Sequence, residues 1–292
     1  MKRILLAIIL SVFVSGVFAQ ADTTKYWTIK GSNSLNFSQV AFKHWSVGGE
    51  NSVSLNLLLD YSANYKKDNY TWDNNLVIGY GLSRQGDEDV KKSDDRIDFS
   101  SKMGWQTSKH WYFSALLGFK TQFTKGYKYK DVDGREEREL LSNFMAPAYL
   151  IGGIGMDYKP VDYFSVLITP LTLKMTMVYD DDLVSAFGID EGDNVKGEFG
   201  ASIKAVFDKE VFTNVNLKSK LELFSNYTEN FQNVDVLFDV IVNMKINSFL
   251  STNFIVNMVY DDDVKTVKDD GSIVGPDIQY MQLFGLGLTY NF

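Results

Sequence analysis

Cysteine is absent from the sequence, proline occurs only four times and histidine only twice. Without cysteine no disulfide staples the chain, and no thiolate is present to bind metal or act as nucleophile. With so few prolines, long stretches keep every backbone N–H available for a sheet ladder. His44 and His110 leave little for general acid–base work or a zinc site. After residue 19 no apolar run approaches the ~18–20 residues of a membrane-spanning helix. Positive charge is short as well: 29 Lys and Arg face 37 Asp and Glu. That balance speaks against nucleic acid, which needs clustered positive charge.

What is present begins with MKRILLAIILSVFVSGVFAQ. Lys2 and Arg3 precede an apolar core, Ile4–Val14, and the small-residue site Val17-Phe18-Ala19. This reads as a secretory leader over 1–19, followed by a short periplasmic segment over 20–32 and a single domain over 33–292. The apolar core is too short for a spanning helix.

From there the sequence alternates. Val53, Leu55, Leu57, Leu59, Tyr61 and Ala63 share one parity, and Ser52, Ser54, Asn56, Asp60 and Ser62 the other. Val215–Tyr227 repeats the pattern, with Leu217, Leu221 and Leu223 opposite Lys218, Lys220 and Glu222. A period of two over a dozen residues predicts a strand with one apolar and one polar face. Twelve such segments follow, roughly 33–42, 51–64, 70–83, 94–106, 110–123, 148–158, 163–179, 197–208, 213–226, 234–246, 249–260 and 279–292. They exceed the ~5–6 residues usual in soluble strands and match strands that cross a bilayer at a tilt. Long and short connections alternate between them, from short KKDN to the long stretch Thr124–Pro147. That alternation predicts an all-β, up-and-down transmembrane barrel of about twelve strands with both termini periplasmic. Pro170 interrupts one segment, and the apolar parity changes there, so a β-bulge is expected at Thr169–Pro170.

The final segment, YMQLFGLGLTYNF, places Phe284, Leu286, Leu288, Tyr290 and terminal Phe292 on one face. It resembles the C-terminal signal by which bacterial assembly machinery recognises outer-membrane barrels. Two copies of MVYDDD end outgoing strands, at Met177–Asp182 and Met258–Asp263. Asp180, Asp181, Asp182, Asp261, Asp262 and Asp263 are weak candidates for calcium, since hard cations take clustered carboxylates. The favoured expectation is that they are solvated loop starts with no metal. Four strand intervals separate the copies by an arc of roughly 25 Å, too far to share one ion.

The stretches WSVGGENSVSLN, NYKKDNYTWDNNLVIGYGL, KSDDRIDFSSKMGW, WYFSALLGFKTQF, LFSNY, MKIN and VYDDD resemble an uncharacterised family, a domain of unknown function in Bacteroidetes cell-envelope proteins. The resemblance runs from about Trp27 to Phe292. It implies an outer-membrane barrel of the Gram-negative envelope and supplies no activity, so no catalytic residue is carried over.

Parity places Asp60, Arg96, Asp98, Lys102, Lys120, Asp157, Lys174, Glu198, Lys204, Lys218, Lys220, Glu222, Asp235, Asp239 and Lys245 on inward faces. Such a balanced set suits either ion pairs across the lumen or a narrow polar pore. His44 falls in the first outer connection and His110 at an inner turn, so they cannot act together. The sequence therefore predicts a non-enzymatic barrel without cofactor. It is either a narrow channel for small polar solutes or an accessory barrel whose acidic loops meet a protein or polysaccharide. Membrane lipid and the assembly machinery are its implied partners. A hydrolase with its site at the extracellular rim is the alternative.

Overall fold

In the computed structural model, the described residues are 26–42, 50–132, 135–190, 192–228, 231–261, 263–264, 266–267 and 273–291. The leader, His44, Asp262 and Phe292 lie outside them. The strands are β1 (Trp27–Val40), β2 (Ser52–Lys67), β3 (Tyr70–Gln85), β4 (Lys91–Gln106), β5 (Trp111–Thr121), β6 (Gly126–Val132), β7 (Arg135–Ser142) and β8 (Ala148–Val161). They continue with β9 (Phe164–Met177), β10 (Val195–Phe212), β11 (Val215–Asn226), β12 (Asp235–Lys245), β13 (Leu250–Tyr260), β14 (Thr266–Val267), β15 (Ile273–Val274) and β16 (Gln279–Asn291). Twelve of them close into an antiparallel barrel in the order β1-β16-β13-β12-β11-β10-β9-β8-β5-β4-β3-β2.

The alternation in the sequence is thus the alternation of a barrel wall. Outward residues such as Leu55, Trp105, Phe113, Leu171, Leu173, Ile203, Phe284 and Leu288 stay exposed, while inward Asn36, Asn56, Ser114, Asp157, Thr172 and Asn253 are buried. A soluble protein would show the reverse. β1 starts at Trp27, earlier than the periodicity places it, because Trp27–Ser32 pair with Tyr65–Asp60 of β2. The long connection Thr124–Pro147 is no plain loop: β6 and β7 pair with each other within it. Short β14 and β15 do the same in the connection after β13.

The bulge falls where the parity break puts it. On β9, Leu171 opposes Ile154 and Ile168 opposes Met156, so one extra residue is accommodated at Thr169–Pro170. Its polar groups are satisfied on both faces. Inside, Thr169 Oγ1 donates to the Ser202 carbonyl at 3.2 Å and Thr172 Oγ1 donates to the Thr169 carbonyl at 2.9 Å. Outside, the Tyr227 hydroxyl donates to the Pro170 carbonyl at 2.8 Å. The bulge also presses on β8, where a Cβ at Gly155 would collide with the Ile168 carbonyl oxygen, so only glycine fits. Tyr227→Phe removes the outer hydrogen bond and keeps the ring. It is expected to lower stability by ~1 kcal/mol in urea unfolding, with the barrel otherwise intact.

Candidate functional site

The inward charges meet across the barrel. Lys218 on β11 lies 2.7 Å from Asp60 on β2, and Asn75 on β3 donates to the same carboxylate at 3.1 Å. Lys220 on β11 pairs with Asp98 on β4 and with Asp239 on β12, the latter at 3.0 Å. Asn257 on β13 donates to Asp239 and accepts from Arg96 Nη1 on β4 at 3.0 Å. The chain Asp98–Lys220–Asp239–Asn257–Arg96 therefore leaves β4 and returns to it through the opposite wall. Beside it, Lys120 on β5 pairs with Glu222 on β11, which also holds Lys204 at 3.0 Å.

Lys218–Asp60, Lys220–Asp98, Arg96–Asn257 and Lys120–Glu222 join strands four or five places apart around the wall. A round twelve-stranded barrel has a diameter of about 24 Å at a ~40° tilt. A lysine and a carboxylate together reach roughly half of that. The pairs can form only if the barrel is flattened, with β2–β5 drawn against β10–β13. Apolar packing agrees. Leu58 and Val77, from β2 and β3, are buried with Ile255 of β13, and Ile241 and Leu283 pack on the cluster. The seam side is filled by uncharged polar groups: Ser34 meets Thr289 at 2.9 Å, Asn253 donates to Asn36 at 3.1 Å, and Asn243 donates to Asn253 at 2.7 Å.

Two further clusters lie nearer the ends. Toward the short turns, Lys102 meets buried Asp157 at 2.6 Å, and Lys159 meets Asp73 at 2.7 Å while resting over the Tyr112 ring. Toward the long loops, Lys174 is surrounded by Asp235 at 2.6 Å, Asp261 at 3.1 Å and Glu198 at 3.4 Å. Lys245, expected inside, is exposed at the short-turn rim, because it is the last residue of β12 and projects past the wall. Asp73, Asp94 and Lys159 were not among the expected inward charges. Asp94 is buried and accepts from Asn56 at 3.1 Å. Asp73 and Asp94 already have inward parity within the segments 70–83 and 94–106, and Lys159 gains it once β8 is carried to Val161.

The two MVYDDD copies differ. Asp181 and Asp182 are exposed, and Asp180 accepts from Asn143 at 2.8 Å. Asp261 is buried against Lys174, so the expectation of a solvated loop start fails there. Asp263 pairs with Lys196 at 2.8 Å. The loop after the first copy packs on itself and reaches the second copy. Ala146, Val178, Leu183, Val184 and Ile189 bury one another, with Leu140 and Phe187 packed on them. Gly188 ends a short 3₁₀ turn (Val184–Phe187) at φ 66°, and a Cβ there would lie 3.2 Å from the Asp263 carbonyl. Among the described residues no group of three or more His, Asp or Glu is arranged to hold a metal. The centre of the outer carboxylates is taken by the Lys174 ammonium.

Among known proteins, residues 37–127 match the model of a family described as protein of unknown function (DUF3078). The match runs from within β1 to the start of β6. No curated protein matches the sequence. The chain is similar to the translocator domain of the autotransporter NalP from Neisseria meningitidis, at 9% identity over 100% of this chain and 96% of that one, with a TM-score of 0.41. It is also similar to the COG4313 outer membrane channel from Pseudomonas putida F1, at 11% identity over 94% and 98%, with a TM-score of 0.39. A third is the Pseudomonas putida toluene transporter TodX, at 7% identity over 92% and 90%, with a TM-score of 0.33.

Lys174→Met leaves three carboxylates buried around an apolar side chain and is expected to cost ~3–5 kcal/mol. Asp181→Asn touches no buried partner and should stay within ~0.5 kcal/mol. Urea titrations of the refolded variants check both; equal midpoints would remove the outer cluster from the account.

Proposed function

We propose that the protein is a non-enzymatic outer-membrane barrel of a Gram-negative envelope, an accessory or structural barrel closed by its own side chains. Its short turns and termini face the periplasm and its acidic loops face outward. The exposed apolar wall supports the membrane reading, since outward apolar side chains suit lipid and the strands close into a barrel. Aromatic side chains at the short-turn end add to it. Trp27, Tyr65 and Trp72 cluster there, with ring centroids 5.2 and 5.7 Å apart, and Tyr70 packs on Trp105 at 4.3 Å. Phe284, Leu286, Leu288 and Tyr290 keep one exposed face on β16, as an assembly signal requires.

The observation that carries the closed reading is the set of ion pairs joining opposite walls. A second reading, a narrow polar channel, draws on the partial exposure of those same side chains: Asp60 and Lys218 each keep 19%. A rim hydrolase has less support. His110 lies at a short turn with its ring 6.3 Å from Tyr158, at the end opposite the aspartate repeats. The outer cap, with exposed Phe144, Asp181 and Asp182, is the surface offered to a protein or polysaccharide partner.

Planar-bilayer recording tests the choice. The wild type is expected to show no discrete conductance steps, while Asp98→Ala combined with Lys220→Ala should introduce them by removing the central tie. Steady ion-selective steps in the wild type would favour the channel.

A further inference from the structure

The short-turn rim is not uniform in charge. Among the described residues, the ends of β1–β5 expose Lys30, Lys66, Lys67 and Lys109 against Asp68. At the ends of β9 and β10, exposed Asp162, Asp208 and Glu210 outnumber Lys209. The aromatic side chains favour the basic sector. Register sets Trp27, Tyr65 and Trp72 in one outward row across β1–β3, and Lys67, Tyr70 and Trp105 in the next row toward the turns. Tyr26, Tyr70, Trp72 and Trp105 remain exposed. The Lys67 ammonium rests 5.0 Å over the Tyr26 ring. Among the described residues neither Lys66 nor Lys67 has an ion pair. A lysine in such a place lays its stem on the apolar wall and keeps its charge free at the surface.

Above the aromatic rows the same strands carry polar groups on the outward face. The Trp72 indole donates to Ser101 at 2.8 Å, Ser101 donates to Asn74 at 2.8 Å, and Asn74 donates to the Ala63 carbonyl at 3.1 Å. One row further from the turns, the Tyr61 hydroxyl donates to Asn33. At the same distance from their turns, β9 presents Val166 and Ile168, and β12 presents Val242 and Val240. The polar groups on β1–β4 satisfy one another, yet they carry the polar zone of the wall further up on this sector than elsewhere. Such a face is costly against hydrocarbon and far less so against the glycerol and ester oxygens of a phospholipid. Aromatic side chains belong at the level of those head groups.

We infer that the β1–β4 sector of the short-turn rim binds an anionic phospholipid of the periplasmic leaflet. This rests on the membrane-spanning reading and the orientation given above. Lys66 and Lys67 take the phosphate, the glycerol lies against the Trp27–Tyr65–Trp72 row, and the acyl chains run up the wall past Asn74 and Ser101. The surface is exposed, so no cavity has to open, and the two ammonium groups are unpaired, so no ion pair has to break. A zwitterionic head brings its own ammonium and gains little from them. An acidic protein would match the charge, but the aromatic and polar rows stand on the wall at membrane depth, where a lipid resides.

Four of the five tryptophans, Trp27, Trp72, Trp105 and Trp111, stand on this side of the rim, so their fluorescence reports the lipid beside it. Trp45→Phe removes the fifth. The refolded barrel is placed in vesicles of dibrominated phosphatidylcholine, which quenches indoles, with unbrominated phosphatidylglycerol at rising mole fraction. Fluorescence should recover as if phosphatidylglycerol bound at least about threefold more tightly than phosphatidylcholine. Raising the salt from about 50 to about 500 mM should bring that ratio toward one. Lys66→Ala with Lys67→Ala should do the same while gel mobility still shows a folded barrel. Lys209 is the control: it lies 4.1 Å over the Tyr163 ring but among carboxylates, and Lys209→Ala should leave the ratio unchanged. A ratio of one in the wild type, a preference kept by the double variant or in high salt, or an equal loss in Lys209→Ala overturns the lipid site and leaves the barrel reading standing. Tryptophans that dibrominated phosphatidylcholine does not quench overturn the membrane reading and the site together.

Discussion

A charge held inside a closed sheet must find an opposite charge or water, and here the opposite charges are on the far wall. That requirement shapes the molecule. Lys218–Asp60, Lys220–Asp98 and Lys120–Glu222 fix how far apart β2–β5 and β10–β13 can stand. The flattened section then lets Leu58 and Val77 touch Ile255, which buries apolar surface that a round lumen would leave wet. Breaking one tie removes a pair and also strands its neighbours. Lys220 serves two carboxylates and Glu222 serves two lysines, so the layer acts as a network rather than as separate bridges.

The same logic extends to the long-loop end. Lys174 lies under a folded cap, and the carboxylates around it come from β10, β12 and the segment after β13. Loops that start with three aspartates would repel one another if all were free. Asp261 escapes this by turning in to Lys174, and Asp263 by reaching Lys196. The remaining exposed aspartates keep the cap acidic. The β1–β16 pairing, Ser32↔Asn291 to Asn36↔Gly287, lies toward the short-turn side, where the aromatic rim also sits.

The wall of the barrel was readable from the sequence because its period is local. Leu55, Leu57 and Leu59 declare a face without reference to any other strand, and the parity break at Pro170 declares the bulge. Which inward charges meet was not readable. The partners Asp60 and Lys218 are far apart in the chain, and their contact depends on closure and cross-section, which are set by all twelve strands together. The differing fates of Asp180 and Asp261 were hidden for the same reason: identical hexapeptides enter different loops. Lys245 shows the limit of parity at a strand end, where direction is kept but the wall has stopped. The pairing of β6 with β7 was missed because GYKYKDV and REERELLS carry mixed charge on both faces and show no apolar stripe.

The flattened section is the claim on which the closed lumen depends, and one distance measures it. Spin labels at Ile78→Cys on β3 and Val240→Cys on β12, both facing outward, report the separation of the two walls by pulsed electron resonance in a chain free of other thiols. A flattened section gives a backbone separation well below the about 24 Å of a round twelve-stranded wall, widening when Asp98→Ala and Lys220→Ala are introduced. A separation at the round value in the wild type, unchanged by that double substitution, would contradict it.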